Sequence, residues 1–531
     1  MPSRRPPAPQ SEEHVQTETG LERFAIEEAP HEQGHRSLSG GLVRACPFHS
    51  AHPRASFSWT RRCLHFILPF SLLRQNAIFS HPAFHSRPRK RADGVHTMNR
   101  RHHGARTSVH VAAHALEGVA VGLSAGLVVG GFRRAHDAVF TQLPVWFGEA
   151  REHWWIVPLW FAVLVVVAWI LGRLTRAVPL IPGSGIPQIE LSLAGRLPVP
   201  PAVWPRVLAA KFAGSWLSVT AGLSLGREGP SIQMGGALGV LIGRLRGETR
   251  LRNNPALVAG AAAGLAAAFG APAAGMLFAF EEMKSRRSAV NIVTALAAAF
   301  AAQMVCVHGF GLGKLFPFAD FRPPILTEAW TLLPLGVLLG GLGVAYNKGL
   351  LSLKDAEAAH SPLPRGWRTL PPLLAAGALA FMYPQVLGGG DGLIVALGRN
   401  SHTVTALVWL FLIKAGFSLF SYTGGTPGGL LMPMLCQGAL LGDLAGRILT
   451  AAGLVSTDAA AGFILFGMAG YFAAAVRAPL TGLFLVIEMS GADLCLPGAL
   501  AVALIANTTA NRLRCPPIYD SLKERIKTPK P

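Results

Sequence analysis

The stretch Gly226-Arg227-Glu228-Gly229-Pro230 decides how this chain folds. It places a glutamate between glycines, with a proline behind it, in a sequence that is otherwise mostly apolar. Glycine permits a turn of the backbone and proline is tolerated in a first helical turn, so the stretch predicts a backbone break followed by a new helix. A carboxylate at bilayer depth is costly and is expected to be part of an ion or proton pathway.

The composition around this stretch is that of an all-α polytopic membrane protein. Of 531 residues, 51% are hydrophobic and only 14% are charged. Several charge-free stretches reach the roughly 20 residues that cross a bilayer. Others are shorter and broken by glycine or proline, which is typical of transporters whose helices end near the midplane. The stretches are residues 154–172, 253–280, 288–313, 329–347, 415–442, 459–476 and 494–511.

The net charge of +20 favours cytoplasmic loops over a nucleic-acid surface, because the basic residues flank apolar segments. Arg100, Arg101 and Arg106 precede the first apolar stretch, and Arg512 and Lys523 follow the last. Both termini are therefore predicted to be cytoplasmic, in a multi-pass protein of the inner membrane. Nucleic acid is not expected as a partner.

The two ends of the chain are predicted to be tails. Residues 1–107 are rich in Pro, Arg and Ser without periodicity, which predicts a disordered basic tail, and Met98 is a candidate start of translation. Residues 516–531 are predicted to form a short cytoplasmic tail. The six cysteines lie far apart and form no CxxC pair, so no disulfide, metal site or cofactor is predicted.

Two patterns occur twice and indicate an internal duplication. Gly-x3-Pro-x4-Gly starts at Gly226 and again 203 positions later at Gly429. Ala-Pro-x2-Gly-x5-Glu starts at Ala271 and again 207 positions later at Ala478. The common order and the similar offsets predict two repeats, at about residues 108–310 and 325–515.

The two copies differ in their acids. At these offsets Glu228 aligns with Leu431, and Glu282 aligns with Met489. A duplicated scaffold with acids in one copy suggests that both halves build a shared site, while one half carries protons.

Three segments have glycines followed by a proline that can open a helix. They are Gly183-Ser184-Gly185-Ile186-Pro187, the Glu228 segment, and Gly428-Gly429-Leu430-Leu431-Met432-Pro433. Free N–H groups and a partial positive charge at a helix start favour an anion, and a partial charge lets a permeant anion leave again. Ser184 and Tyr519 add hydroxyl donors, although a simple helix cap and an interfacial aromatic remain open as their roles.

These segments, in this order, resemble the CLC family of chloride channels and chloride/proton antiporters over about residues 108–525. Asn253–Met283 and Pro516-Pro517-Ile518-Tyr519 are also similar to that family. The resemblance implies two inverted-topology repeats of tilted, broken helices. It also implies a homodimer in the lipid bilayer, in which each subunit has its own pathway for chloride ions and protons.

The resemblance assigns roles residue by residue. Ser184 and Tyr519 match the hydroxyl donors to the central anion, and Leu430 and Leu431 match positions whose backbone N–H groups bind it. Glu228 matches the gating glutamate, whose carboxylate occupies an anion position and leaves it on protonation. A carboxylate does compete with chloride for the same helix starts, so the chemistry agrees.

Glu282 matches the inner proton-accepting glutamate of the antiporters. Without the family, it would be an ordinary acid at a helix end, paired with Lys284, Arg286 or Arg287. Glu281 and Glu488 are expected to have structural roles, and so is Glu190, for which a pairing with Lys211 is conceivable.

One residue departs from the family. Leu431 stands where phenylalanine is usual, so pore packing and gating are expected to differ while the backbone contact persists. Serine at position 184 favours chloride over nitrate on family grounds, and Glu228 with Tyr519 argues against the fluoride-exporting branch.

The sequence thus predicts a chloride/proton antiporter, with Glu228 as gate and Glu282 as inner proton site. A passive chloride channel of the same fold, gated by voltage or pH, is the alternative. A membrane-embedded enzyme would need a nucleophile, a metal set or a phosphate loop beside the two acids, and none is visible. A structural or adhesion role would leave the duplicated helix starts unexplained.

Overall fold

The computed structural model describes residues 99–143, 146, 149, 153–399 and 402–526, with side chains from residue 111 onward. These residues are helical, apart from loops and two isolated β-bridges. Seven helical segments among them are long and apolar enough to cross a membrane. The predicted all-α polytopic fold is therefore confirmed.

The first half consists of long helices interrupted by short ones. They are α1 (Asn99–Phe140), α2 (Ile156–Ala177), α3 (Ile186–Leu193), α4 (Trp204–Thr220), α5 (Glu228–Leu245), α6 (Pro255–Phe269), α7 (Pro272–Glu281) and α8 (Ala289–Met304). Local sequence accounts for several boundaries. The Asn254 side chain accepts a hydrogen bond from Leu257 N (2.9 Å) and caps α6, which ends at Gly270 with φ +70°.

The second half repeats this alternation. Its helices are α9 (Leu332–His360), α10 (Leu370–Met382), α11 (Asp391–Arg399), α12 (Val404–Thr423), α13 (Leu431–Ala451), α14 (Thr457–Ala460), α15 (Gly462–Val476), α16 (Pro479–Ser490), α17 (Leu496–Arg512) and α18 (Ile518–Glu524). Prolines open α16 and α17 in their first turns, as they open α6 and α7.

Glycines allow the central helices of each half to touch along their backbones. A side chain at Gly239 of α5 would overlap the carbonyl of Ala256 in α6. In the second half, a side chain at Gly442 of α13 would overlap the carbonyl of Phe463 in α15. Helices in a bilayer associate through close packing of small residues. These glycines therefore hold α5 against α6 in the first half and α13 against α15 in the second. Gly239 and Gly442 lie 203 positions apart, which extends the duplication seen in the motifs.

The two halves meet through reciprocal carboxylate caps. Glu281, at the end of α7, accepts a hydrogen bond from Thr481 N (2.7 Å) at the start of α16. Glu488, near the end of α16, accepts hydrogen bonds from Ala273 N (3.1 Å) and Ala274 N (2.9 Å) at the start of α7. The two repeat-related helices therefore lie antiparallel, as inverted repeats require. The structural roles expected for both glutamates are confirmed.

The predicted tails contain helix where the structure describes them. Helix α1 begins at Asn99 and so includes residues 99–107 of the predicted N-terminal tail. In the predicted C-terminal tail, Tyr519 and Leu522 of α18 are buried, so this helix packs against the rest of the protein. Residues 1–98 and 527–531, with the suggested start at Met98, lie outside the described residues.

We predict that Glu488→Ala lowers the free energy of unfolding by about 1–2 kcal/mol, because the start of α7 loses its cap. Denaturation in detergent would measure this change. The matched control is Glu524→Ala, which removes an exposed glutamate of α18 and is expected to change stability by less than about 0.5 kcal/mol. Equal effects of the two substitutions would contradict the capping role.

Candidate functional site

The starts of α3, α5 and α13 meet at one place through backbone hydrogen bonds. Gly226 and Gly429 donate to each other's carbonyls, with N–O distances of 2.8 and 2.7 Å. Gly183 N donates to Thr426 O (3.0 Å), and Gly428 N donates to Gly183 O (3.0 Å). Each loop therefore satisfies backbone groups of another. The three glycine-rich segments singled out in the sequence are thus brought together.

Glycine is required where these loops turn. Gly183 and Gly185 have φ values of +70° and +91°, which other residues rarely adopt. Pro187 then lies in the first turn of α3. A side chain at Gly229 would press against Ser184, so α3 and α5 approach each other closely here.

A buried lysine holds the first loop in place. Lys211 Nζ donates to the carbonyls of Ile181 (2.8 Å) and Gly183 (2.7 Å). The suggested pairing of Glu190 with Lys211 is therefore wrong, because Lys211 is already satisfied by backbone oxygens. Glu190 instead pairs with Lys523 of α18 (2.6 Å).

The second repeat contains a fourth helix start, which the sequence reasoning missed. Lys414 Nζ donates to the carbonyls of Val386 and Gly388, both at 2.8 Å, just before α11. Gly388 and Gly390 have φ values of +59° and +94°. Lys414 lies 203 positions after Lys211, and a Gly-x-Gly follows the first one by 205 positions. These two spacings could have revealed the fourth helix start from the sequence. It was missed because α11 has no proline in its first turn, unlike the other three starts.

Glu228 is fully buried and is the first residue of α5. Its Oε1 accepts a hydrogen bond from Met432 N (3.1 Å) in the first turn of α13. Side chains at Gly226 or Gly429 would collide with the carboxylate, so glycine leaves the room that it occupies. The acid of one repeat is therefore bound at the helix start of the other. Its Oε2 is buried and has no hydrogen-bond partner among the described residues.

The predicted anion-binding residues surround this point. Leu430 and Leu431 are fully buried at the start of α13. Ser184 is 1% exposed, and its Oγ accepts a hydrogen bond from Ile186 N (3.3 Å), so it also helps to cap α3. The hydroxyl of Tyr519 is buried and has no hydrogen-bond partner within the described ranges. An unpartnered buried phenol suits a donor to an anion better than an interfacial aromatic.

Tyr422 is a further residue of the site that the sequence reasoning missed. Its hydroxyl accepts a hydrogen bond from Ser184 N (3.4 Å). Tyr346 is also buried, with its hydroxyl 3.1 Å from Ser418 Oγ. The chain has only five tyrosines, and four of them are buried, namely Tyr346, Tyr422, Tyr471 and Tyr519. The small number of tyrosines was a feature of the sequence that could have pointed to Tyr422.

Glu282 follows α7 directly and is 5% exposed. Its carboxylate makes no hydrogen bond or ion pair with any described residue, although its backbone N donates to Phe278 O (3.1 Å). Glu190, Lys284, Asp520 and Lys523 lie within electrostatic range of it. The simpler interpretation, in which Glu282 is paired with a neighbouring base, is therefore not supported.

The bases near Glu282 are bound by other acids. Lys284 pairs with Asp520 (2.7 Å), and Lys523 bridges Asp520 (2.7 Å) and Glu190 (2.6 Å). Burial lowers the pKa of Lys523, but the carboxylates of Glu190 and Asp520 raise it above its ordinary value. Lys523 therefore stays charged and ties α18, which contains Tyr519, to α3.

The two glutamates lie toward opposite ends of the membrane helices. Helices α1 and α8 are parallel, since Gly118 approaches Thr294 and Gly130 approaches Phe310. Glu282 shortly precedes α8 and so lies near the end at which α1 begins. Arg227, the neighbour of Glu228, pairs with Asp137 in the last turn of α1.

Comparison with known proteins identifies the family. Residues 161–511 match the family described as voltage gated chloride channel. The chain belongs to this family. It is 34% identical over 404 residues to the H(+)/Cl(-) exchange transporter ClcA of Vibrio parahaemolyticus, covering 73% of this chain and 86% of that protein. The ClcA transporter of Klebsiella pneumoniae is 33% identical over 416 residues, covering 76% and 87%.

Solved structures of the family have the same fold. The crystal structure of a slow cyanobacterial Cl-/H+ antiporter matches with a TM-score of 0.72 and 30% identity, over 78% of this chain and 97% of that chain. A CLC-type fluoride/proton antiporter matches with a TM-score of 0.62 and 23% identity, over 77% and 97%. The fold of two inverted repeats is therefore that of the CLC proteins.

No group of three or more His, Cys, Asp or Glu residues in the described part of the chain could hold a metal ion.

We predict that Gly429→Ala displaces the Glu228 carboxylate from Met432 N, because the new methyl group would occupy the same space. Gly429 does not have a positive φ, so its backbone accepts alanine. A structure of the variant would reveal the displacement. Gly392→Ala is the matched control, since an added methyl group there meets open space. An unmoved Glu228 in the Gly429 variant would contradict this steric interpretation.

Proposed function

We propose that the protein is a chloride/proton antiporter and not an enzyme, and that it uses no cofactor. The position of Glu228 is the observation that carries this proposal. Its carboxylate accepts a hydrogen bond from Met432 N at the start of α13. A helix start of this kind is a place where an anion binds. The exchange of chloride for protons by the ClcA relatives agrees with such a site.

Chloride binds between the helix starts of the two repeats. The hydroxyl groups of Ser184 and Tyr519 donate hydrogen bonds to the chloride ion, and so do the backbone N–H groups of Leu430 and Leu431. These are partial charges, so they stabilise a dehydrated anion without holding it as strongly as a buried cation would. The unpartnered hydroxyl of Tyr519 supports this assignment.

Glu228 is the gate, and it also accepts the transported proton. As a carboxylate, it occupies the start of α13 and excludes chloride. Protonation removes its negative charge and most of its attraction to the helix start, so the side chain leaves and chloride enters. One group thereby couples the two ions, because chloride and the proton compete for the same carboxylate position.

Glu282 is the inner proton site. It is buried, it lies toward the opposite end of the membrane helices, and the neighbouring lysines are paired with other acids. An acid without a fixed partner can take up and release a proton without breaking an ion pair. Protons therefore pass between Glu282 and Glu228, while chloride passes through the site of the helix starts.

We infer that the protein lies in the inner membrane as a homodimer, with both termini in the cytoplasm. Basic residues at both ends of the membrane domain support this orientation. Exposed apolar side chains on α2, such as Leu159, Val166 and Trp169, suit contact with lipid. The family resemblance supports the dimer. In this orientation, Glu282 faces the cytoplasm and the Asp137 end of α1 faces outward.

Simultaneous measurement of chloride and proton flux in liposomes tests the proposal. An imposed chloride gradient should drive protons against their own gradient. Chloride movement without uphill proton movement would instead establish the alternative, a passive channel of the same fold.

We predict that Glu282→Gln abolishes proton transport while chloride transport continues, because the inner acceptor is lost and the helix starts are intact. Paired flux measurements on the reconstituted variant would record both ions. Glu524→Gln is the control, since this exposed residue lies outside the route and should leave coupling unchanged. Persistent proton coupling in the Glu282 variant would remove its assigned role.

We predict that Glu228→Ala gives chloride flux that is uncoupled from protons and insensitive to pH, because the competing carboxylate is gone. Chloride flux measured across a range of pH would test this. A steep pH dependence in the variant would mean that another group forms the gate.

A further inference from the structure

Arg227 places a permanent positive charge next to the gate. Its side chain is 7% exposed, and a guanidinium does not lose its proton in a protein. A full positive charge in a partly dry site attracts chloride far more strongly than a helix start does. Rapid release of chloride toward this side therefore requires that the charge be neutralised.

Two aspartates bind the Arg227 guanidinium from different elements. Its Nη1 lies 3.0 Å from Asp137 Oδ1 of α1, and its Nη2 lies 3.2 Å from Asp391 Oδ2 of α11. The aspartate side chains are 42% and 35% exposed, so they lie between the buried guanidinium and water. Asp137, Arg227 and Asp391 are called the arginine clamp below.

The other cations near the clamp are occupied by backbone oxygens. Arg133 Nη1 donates to Ala267 O (2.8 Å), and Lys414 donates to the loop before α11. His136 is buried nearby, and Glu228 is the remaining acid within electrostatic range of Arg227. The neutralisation of Arg227 therefore rests on its two aspartates, with Glu228 contributing only while it is ionised.

Asp391 has a second electrostatic effect, which comes from its position at the fourth helix start. It is the first residue of α11 and directly follows Gly388-Gly389-Gly390, the loop that corresponds to Gly183-Ser184-Gly185 of the first repeat. The starts of α3, α5 and α13 converge near the gate, whereas the start of α11 has a carboxylate of its own. Asp391 therefore opposes both the partial charge of α11 and the full charge of Arg227.

We propose that Asp391 determines how tightly chloride binds at the mouth beside Asp137, by keeping Arg227 from acting as an anion site. Without this carboxylate, Nη2 of Arg227 and the start of α11 both present positive charge to the mouth. Chloride is then retained there, next to Glu228. Asp391 thus sets the chloride affinity of this part of the transport path, and the inference rests on the proposed chloride transport.

The test is Asp391→Asn in liposomes that contain the full chain in one orientation, with chloride varied separately on each side. The chloride concentration for half-maximal flux on the Asp137 side should fall about 2- to 5-fold, as expected when a partly exposed ion pair is lost. The value on the Glu282 side should stay the same. A purely structural defect would change the maximal rate without this one-sided change in affinity.

Three variants serve as controls. Asp391→Glu keeps the charge and should behave like the unaltered protein. Asp137→Asn removes the other half of the clamp without touching α11 and should lower the half-maximal concentration in the same direction, so the test survives if the Asp391 variant fails to fold. Adding Asp391→Asn to Arg227→Gln should cause a clearly smaller change than in the unaltered protein, because the full charge of Arg227 is already gone and only the partial charge at the start of α11 remains.

Unchanged chloride affinity in both the Asp391→Asn and Asp137→Asn variants would overturn the inference. A full effect of Asp391→Asn in the Arg227→Gln background would also overturn it. These measurements need only chloride flux. If the unaltered protein moves chloride but not protons, the proposed antiport fails while the role of Asp391 is still decided.

Discussion

Reciprocal hydrogen bonds between Gly226 and Gly429 join the two repeats where their membrane helices are broken. Breaks in membrane helices expose backbone groups that lipid cannot satisfy. Here the breaks of the two repeats satisfy each other, through reciprocal hydrogen bonds at 2.8 and 2.7 Å. Lys211 and Lys414 also donate to carbonyls of the first and fourth loops. Because these contacts fix where the helices start, they also fix where partial positive charge is available.

The buried cations of the site have fixed partners. The ammonium groups of Lys211 and Lys414 donate to backbone oxygens, and the charge of Arg227 is balanced by two aspartates. The donors left for a permeant anion at the site are therefore helix starts and hydroxyl groups. This arrangement favours binding that is strong enough for entry and weak enough for release. Glu228 fits the same arrangement, since it is bound by an N–H group of α13 and not by a base.

Much of the fold and part of the site were predictable from particular residues. The two repeated patterns, which start at Gly226 and Ala271, predicted the duplication, and apolar runs predicted the membrane helices. The pairing of Glu190 was predicted wrongly, because sequence does not tell which of two acceptors a buried lysine faces. Tyr422 and the fourth helix start were missed. Tyr422 was missed because its partner Ser184 lies 238 residues away. The fourth helix start was missed because it lacks the proline that marked the other three starts.

The sequence alone indicates where helices break and which residues follow the breaks, and it shows that the second repeat has no acid at the positions aligned with Glu228 and Glu282. These properties are local. Glycine and proline act on the backbone at their own positions, and the presence of an acid is given by the residue itself. Tertiary packing puts Glu228 at the start of α13, leaves the Glu282 carboxylate without a partner among the described residues, and brings Asp391 to Arg227. Such relations depend on which distant segments pack together. Packing is set by the whole chain, so no single motif contains it.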